Sequence, residues 1–564
     1  MKNKLYISIA ALLIILSSCD LNQEFITTLT KDQVSSQFDF KKNQAMALYT
    51  DLPNGFFALG NAMMASASDE AEFTYNGGAQ NFNSGSWDAF TNPDDVWSVY
   101  YKSIRKVNVF LSDTAKVNLD AYKNDPNPSS QLVYKTRLAQ TINWKYEARF
   151  LRAYYYFELV KRYGGVPIIT LPLDLESNFS NIKRNTLSEC IDFIVNECDS
   201  VSKDGGLPLT YDNDNLGRVT KGAALALKSR ILLYAASDLF NTPSWAGGYA
   251  NPELISVSGD RKTKWKDAAD AAKALINLSG SGYSLGGNYS ILGKTFNDPE
   301  LIMVCRSWTN NDFERINFPI GAVIGLGSIT PSQNLVDDYE MQDGTKFDWN
   351  NPTEKASPYA NRDPRLAMSV YYNQSKFSNI FLDISTGGAN GKGIANATTT
   401  GYYIKKFIDE TLDLTLNRTS VHSWVIFRIS EIYLNYAEAL NEYDPGNPDI
   451  SLYVNKTRQR TGVTMPVIPS TLSQSEMRER IRHERRIELA FEDHRLWDVR
   501  RWMTAPTVLN TPLYGVKITA TDLGYNYEKI EVEKRVFEPK MYFYPIPQKL
   551  LYTNGVDWPQ NPLW

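Results

Sequence analysis

Four cysteines and three histidines are all that this 564-residue chain contains, and the shortage removes several classes of protein. With Cys19 set aside, Cys190, Cys198 and Cys305 remain, an odd number without metal-site spacing. Cys190 and Cys198 stand eight residues apart in the helical-looking stretch LSECIDFIVNECDSV. That is about 12 Å along a helix, too far for a disulfide, so these thiols read as buried small apolar residues. His483 and His494 fall in IRHERRIELAFEDHRLWDVRRW, read as one helix, about 16 Å apart and too distant to share a metal ion. HERRI starts like a zinc-protease helix but has Ile487 where the second histidine belongs. The stretch is expected to bury Ile487, Ala490, Phe491 and Trp497, and to pair Arg485 with Glu488 and Glu492 with Arg495.

Positive charge is also short. The net charge of −4, without a long Lys/Arg block, argues against a nucleic-acid binder. There is no GxSxG, no phosphate-cradling GxxxxGK[ST], and no GxGxxG after a strand. DNDNLG at 212–217 imitates a calcium loop, but Leu216 and Ala223 stand where oxygen ligands are required. The sequence therefore indicates no cofactor, and a structural calcium ion has no recognisable ligand set. Among 63 acidic residues nothing nominates a glycosidase pair.

Long apolar runs are missing too. The one notable run, LYISIAALLIIL at 5–16, is shorter than the ~20 residues a spanning helix needs. Lys2 and Lys4 precede it and LSSC follows, the pattern of a secretory signal ending in a lipobox. Residues 1–18 read as signal peptide, Cys19 as the lipidated N-terminus, and 19–32 as a polar tether.

What the chain does have is helix. NWKYEARFLRAYYYFELVKRYGGVPII is apolar on nearly every face, the mark of a buried helix, and Gly164-Gly165 with Pro167 stops it. TKGAALALKSRILLYAASDLF with KWKDAADAAKALINL, and VIFRISEIYLNYAEALNEYDP with PDISLYVNKTRQRTGV, read as helix pairs with small residues at the crossing. Between them, 241–262, 279–420 and 503–535 are irregular and rich in Gly, Asn, Thr, Asp and Pro, yet keep aromatics. FTYNGGAQNFNSGSWDAFTNP at 73–93 is the densest case, with five aromatics and one charge in a loop.

The lipobox, DDVWSVYYKSIRKVNVFL, EARFLRAYYYFELVKRYGGVPII, GRVTKGAALALKSRILLYAAS, YANRDPRL, YYIKKF, FRISEIYLNYAEALNE, VNKTRQRTGV, IRHERRIELAFEDHRLWDVRRW, FYPIPQ and the final QNPLW resemble the SusD/RagB family of outer-membrane nutrient-binding lipoproteins. The resemblance implies a mostly α fold in one domain, 33–564. Four degenerate tetratricopeptide helix pairs would form a scaffold over about 95–280 and 425–500. A loop-rich ligand half would occupy about 53–94 and 281–424. It also implies a lipid-anchored protein on the outer membrane, facing outward and partnered with a SusC-like TonB-dependent barrel transporter. Such a protein captures oligosaccharides, in some members peptides, without catalysis.

A sugar ring has an apolar face for an aromatic to stack on and a hydroxyl rim for polar groups. On that basis Trp87 and Tyr75 are the first ligand-binding candidates, with Asn81 and Asp88 as rim partners, then Trp308 and Trp349. Trp87 also has a core reading of equal weight, and core packing is the favoured reading for Trp308 and Trp349. Phe73, Phe82, Phe90 and Trp97 read as core, and Arg362 as a structural salt-bridge residue. Three alternatives stand beside the glycan receptor: a peptide receptor on the same scaffold, a secreted glycoside hydrolase, and a tetratricopeptide adaptor.

Overall fold

Asn127 accepts a hydrogen bond from the Ser129 amide and Pro128 takes the first helical position, so the longest helix begins where a missing N–H costs nothing. This helix, Pro128–Tyr163, runs for 36 residues and ends at Gly164, whose φ is +72°. A Cβ at Gly164 would stand 2.3 Å from the Leu254 carbonyl oxygen, so both backbone angle and space demand glycine. From Phe150 to Tyr163 every residue is buried, as the all-round apolar pattern predicts. The charges in that stretch are paired: Glu158 with Arg162 at 2.6 Å and Lys161 at 2.9 Å, and Arg162 with Asp94 at 2.8 Å.

The computed structural model describes residues 30–174, 179–307, 309–322, 324–553 and 556–564. The signal segment, Cys19 and Trp308 lie outside them. The chain is mostly helical. Its principal helices are α1 (Trp97–Asp113), α2 (Pro128–Tyr163), α3 (Leu187–Ser202), α4 (Lys221–Ala236), α5 (Arg261–Ile276), α6 (Ile429–Tyr443), α7 (Pro448–Arg458), α8 (Gln474–Glu488) and α9 (Arg495–Arg501). From α1 to α7 each helix packs on the next, and α8 closes on α6 and α7. Buried Ala223, Ala224 and Ala226 on α4, with Ala268, Ala269 and Ala272 on α5, let those two approach closely. The step from α5 to α6 is made across the segment 277–428, which leaves the helical layer and returns to it.

That excursion is held by short antiparallel pairs. Strand β1 (Ala71–Phe73) pairs with β3 (Ile329–Pro331), and β2 (Leu301–Arg306) with β6 (Ser423–Arg428). A tight hairpin joins β4 (Lys376–Phe377) to β5 (Ile380–Phe381). Residues 503–535, expected to be irregular, instead contain a long hairpin, β7 (Leu513–Thr521) with β8 (Gly524–Glu533). Its alternation buries Val516 and Ile518 against the core while the intervening Lys517 stays exposed.

The IRHERRIELAFEDHRLWDVRRW stretch also departs from expectation. The helix breaks after Glu488 and restarts at Arg495, with Phe491 and Asp493 at φ of +65° and +61°. His483 and His494 therefore do not share one helix, and each has its own partner: the Asp338 carbonyl at 2.7 Å and Arg485 at 3.2 Å. The expected three-apart ion pairs are replaced by long-range ones. Arg485 binds Asp498 at 2.7 Å and Arg495 binds Asp69 at 2.8 Å. Glu488 meets Arg365, Arg428 and Arg460 at 2.7–2.9 Å, and Glu492 meets Arg428 and Lys406 at 2.6 Å. These buried charges bind the loop excursion to the helices. Arg362 is structural, but through backbone: it donates to the carbonyls of Tyr339, Pro358 and Val336 and packs on Phe347.

Candidate ligand-binding site

Within the segment 277–428, three stretches enclose an open cavity of about 480 Å³. One wall is formed by Phe318, Gly321, Ala322 and Ile324, the second by the β4–β5 hairpin, the third by the segment Glu410–Thr415. Ser378 and Asn379 form a two-residue turn between paired Phe377 and Ile380, and Ser378 takes the left-handed conformation, φ +51°. The turn projects polar groups over an apolar floor. Phe318 and Phe377 meet edge-on at 4.9 Å there, with Ile324, Leu412 and Leu414 beside them. On β5, Ile380 remains 45% exposed and Phe381 68%.

The rim is polar: Ser378, Asn379, Thr411, Asp413 and Thr415. Asp413 accepts from the Thr415 hydroxyl and amide at 2.5 and 2.9 Å, and these bonds hold its carboxyl below the ordinary range. Glu410 accepts the Tyr371 hydroxyl at 2.6 Å; burial, then that contact, push the phenol upward. Both carboxylates are thereby fixed in position. An apolar floor with a ring of hydroxyl, amide and carboxylate groups can take a ligand that is flat and apolar on one side and hydroxylated at its edge.

The residues nominated from sequence fall elsewhere. Trp87 is 3% exposed and packs on Phe82, Tyr544 and Trp564, with ring centroids 4.8–5.4 Å away. Its indole N–H donates to the Phe82 carbonyl at 3.1 Å. The ring is enclosed, so the core reading of Trp87 holds and its ligand role is withdrawn. Phe73, Phe82 and Trp97 are buried as expected, whereas Phe90 is 61% exposed and lies beside Tyr552. Tyr75 is half-buried and donates its hydroxyl to the Leu326 carbonyl at 2.8 Å, on the loop whose earlier part walls the cavity. Asn81 is exposed on the short helix Gly78–Asn83. Asp88 is exposed too, but accepts from the Phe90 and Thr91 amides and the Thr91 hydroxyl at 2.8–3.1 Å, which makes it a turn former. Trp349 is half-buried and donates to Asp337 at 3.0 Å, away from the cavity lining.

Among the described residues, Trp87, Tyr75 and Trp349 thus stand outside the cavity lining, and Tyr75 reaches its neighbourhood through the bond to Leu326. No periodic pattern marks the cavity, whose walls come from three separated segments. Asp212, the first residue of the calcium-like DNDNLG, caps the turn Asn213–Asn215 by accepting from the Asn215 amide. No cluster of three or more His, Cys, Asp or Glu suited to a metal occurs among the described residues.

Comparison with known proteins agrees with this architecture. Residues 300–564 match the model of the SusD family, and residues 23–233 match a model described as starch-binding and associating with the outer membrane. The chain belongs to the SusD/RagB family. A relative in Formosa agariphila, SusD-like protein P38, is 26% identical over 394 residues, which cover 66% of this chain and 68% of its own. The crystal structure of a SusD-like protein from Bacteroides fragilis matches with a TM-score of 0.77 at 26% identity, covering 95% of this chain and 99% of its own. A second from the same organism, described as a SusD-like carbohydrate-binding protein, gives a TM-score of 0.74 at 23% identity, covering 92% and 98%.

Proposed function

We propose that this protein is a non-catalytic receptor that captures glycan oligosaccharides at the loop cavity and delivers them to a SusC-like TonB-dependent transporter. Lipid on Cys19 holds it to the outer membrane, facing the cell exterior. The observation that carries the reading is the cavity itself, where an apolar floor is bordered by Asn379, Thr411, Asp413 and Thr415. Family membership, with an N-terminal part matching a starch-binding, outer-membrane-associated model, supports the same reading. Tyr75, Asn81 and Trp349 keep accessible surface and remain candidates for secondary contacts.

The test is calorimetry on residues 20–564 with a panel of neutral oligosaccharides and peptides, with chromatography of the sugars afterwards. Binding of a saccharide that is recovered intact is the expected result. Recovery of shortened sugars would replace the receptor with a hydrolase, and binding of peptides alone would make it a peptide receptor on this scaffold.

A further inference from the structure

On the helical side of the molecule a second cavity, of about 570 Å³, opens between α5, α6, α8 and Trp502, which follows α9. Its charges are numerous but unevenly paired. Glu438 accepts from Arg501 at 2.5 and 2.6 Å and from the Trp502 indole at 2.7 Å. Glu442 takes a bidentate Arg478 at 2.5 and 2.7 Å, and Asp238 takes Arg261. These carboxylates are satisfied.

Two cations in the lining are held more loosely. Arg482 lies with its guanidinium 4.8 Å from the Trp502 ring centre, its side chain only 20% exposed. Its nearest carboxylate oxygens, of Glu479 and Asp238, stand 3.7 and 4.0 Å away, beyond hydrogen-bond distance, and its Nε has no acceptor. A guanidinium carries five N–H donors, and the Nε of Arg482 is buried without an acceptor, which is a costly arrangement. Lys262, exposed at the same cavity, lies 5.6 Å from the Tyr443 ring and makes no ion pair among the described residues.

We propose that this cavity binds an oxyanion carried by an oligosaccharide, with Arg482 as the planar, oriented donor and Lys262 as the mobile second charge. The ligand is an acidic glycan whose charge is either a uronate carboxylate or a sulfate ester; the two share a geometry that a guanidinium recognises. The size suits one or two sugar units, and the indole of Trp502 beneath Arg482 holds that side chain in place. The inference rests on the glycan reading above but concerns a separate site, since none of these residues lines the loop cavity.

The experiment titrates residues 20–564 with an oligogalacturonate, a sulfated oligosaccharide, a neutral oligosaccharide and an acidic peptide, using wild type, Arg482→Gln and Lys262→Gln. Binding of at least one acidic saccharide, weakened about tenfold by Arg482→Gln and measurably by Lys262→Gln, is expected, with neutral-sugar affinity unchanged in both. Whichever acidic saccharide responds identifies the oxyanion. Lys262 is exposed, so Lys262→Gln keeps the test valid if Arg482→Gln fails to fold. Acidic saccharides bound equally by wild type and variants would overturn the proposal, as would sensitivity of the acidic peptide alone. Failure of the glycan reading differs: no saccharide, neutral or acidic, would bind.

Discussion

Arg428 and Glu488 meet at 2.8 Å with their side chains withdrawn from solvent, and neither belongs to the other alone. Arg428 also holds Glu300 and Glu492, each at 2.6 Å, while Glu488 also receives Arg365 and Arg460. Burial opposes ionisation of Glu488, but Arg460, Arg428 and Arg365 outweigh it and hold its carboxyl well below the usual range. The cluster joins the start of α6 to the end of α8 and to the loop excursion. Arg428→Met removes the shared cation and leaves three buried carboxylates under-compensated. The expected cost is about 3–5 kcal/mol, read as a lower urea midpoint. A loss below ~1 kcal/mol would mean that water or the remaining arginines compensate, contrary to this account.

Trp87 is a structural anchor, and its substitution should behave as one. Trp87→Ala removes a ring packed between Phe82, Tyr544 and Trp564, uniting the 73–93 loop with the chain end. The expected cost is about 3–5 kcal/mol, with the fraction that remains folded binding ligand at wild-type affinity. Melting followed by calorimetry below the melting temperature separates the two effects. A stable variant that has lost binding would return Trp87 to the ligand site.

Two neighbouring carboxyls give the protein an alkaline weakness. Burial pushes Glu70 up to about 8, Arg486 only partly opposing it. Burial and the adjacent Glu533 push Glu72 up to about 7. A carboxyl raised in the folded state is protonated there while its unfolded counterpart is ionised, so the fold binds more protons. Stability contributed this way is complete below pH ~4.5 and falls as pH rises toward 8. Glu158 and Glu438, both held down to about 2, act oppositely: what they contribute is complete above pH ~4.5 and is lost as pH falls toward 2. Glu70→Gln should therefore raise stability at pH 8 by about 3 kcal/mol and flatten the decline between pH 5 and 8. An unchanged slope in melting temperature against pH would refute the assignment to Glu70.

What could be read beforehand divides by the range of the interactions involved. The C-terminal part of helix α2 was legible because its apolar faces and its glycine stop are local to 143–165, whereas its start at Asn127 and Pro128 was not read. The β7–β8 hairpin had a local signal as well, the alternation of Val516 and Ile518 with Lys517 and Thr519, masked by polar residues on its outer face. Trp87 and Phe90 sit three residues apart in the same kind of loop, yet one is enclosed and the other open. The difference is set by Tyr544 and Trp564, at the far end of the chain, which no local pattern announces. The charge cluster is similar: the spacing suggested partners within one helix, whereas Glu488 and Glu492 were committed to arginines and a lysine from other segments. The cavity was least visible, because Asn379, Thr411 and Asp413 are ordinary loop residues until folding brings them around Phe318 and Phe377.

The cavity makes the most direct claim on function, and its hairpin offers the cleanest test. Asn379 and Ile380 occupy the turn and the first position of β5, both exposed, so shortening them disturbs little packing. Asn379→Ala removes one neutral hydrogen-bonding group from the rim, and Ile380→Ala removes apolar surface from the mouth. Each should weaken oligosaccharide binding by about 1 kcal/mol, or roughly fivefold, and the pair should couple because they would touch one ligand. Melting temperatures should remain within about 2 °C of wild type. Leu523→Ala, on the fully exposed turn between β7 and β8, serves as the control and should leave affinity unchanged. If the double variant binds neutral sugars like wild type while remaining folded, capture takes place on another face. The half-buried rings of Tyr75 and Trp349 are then the next to remove.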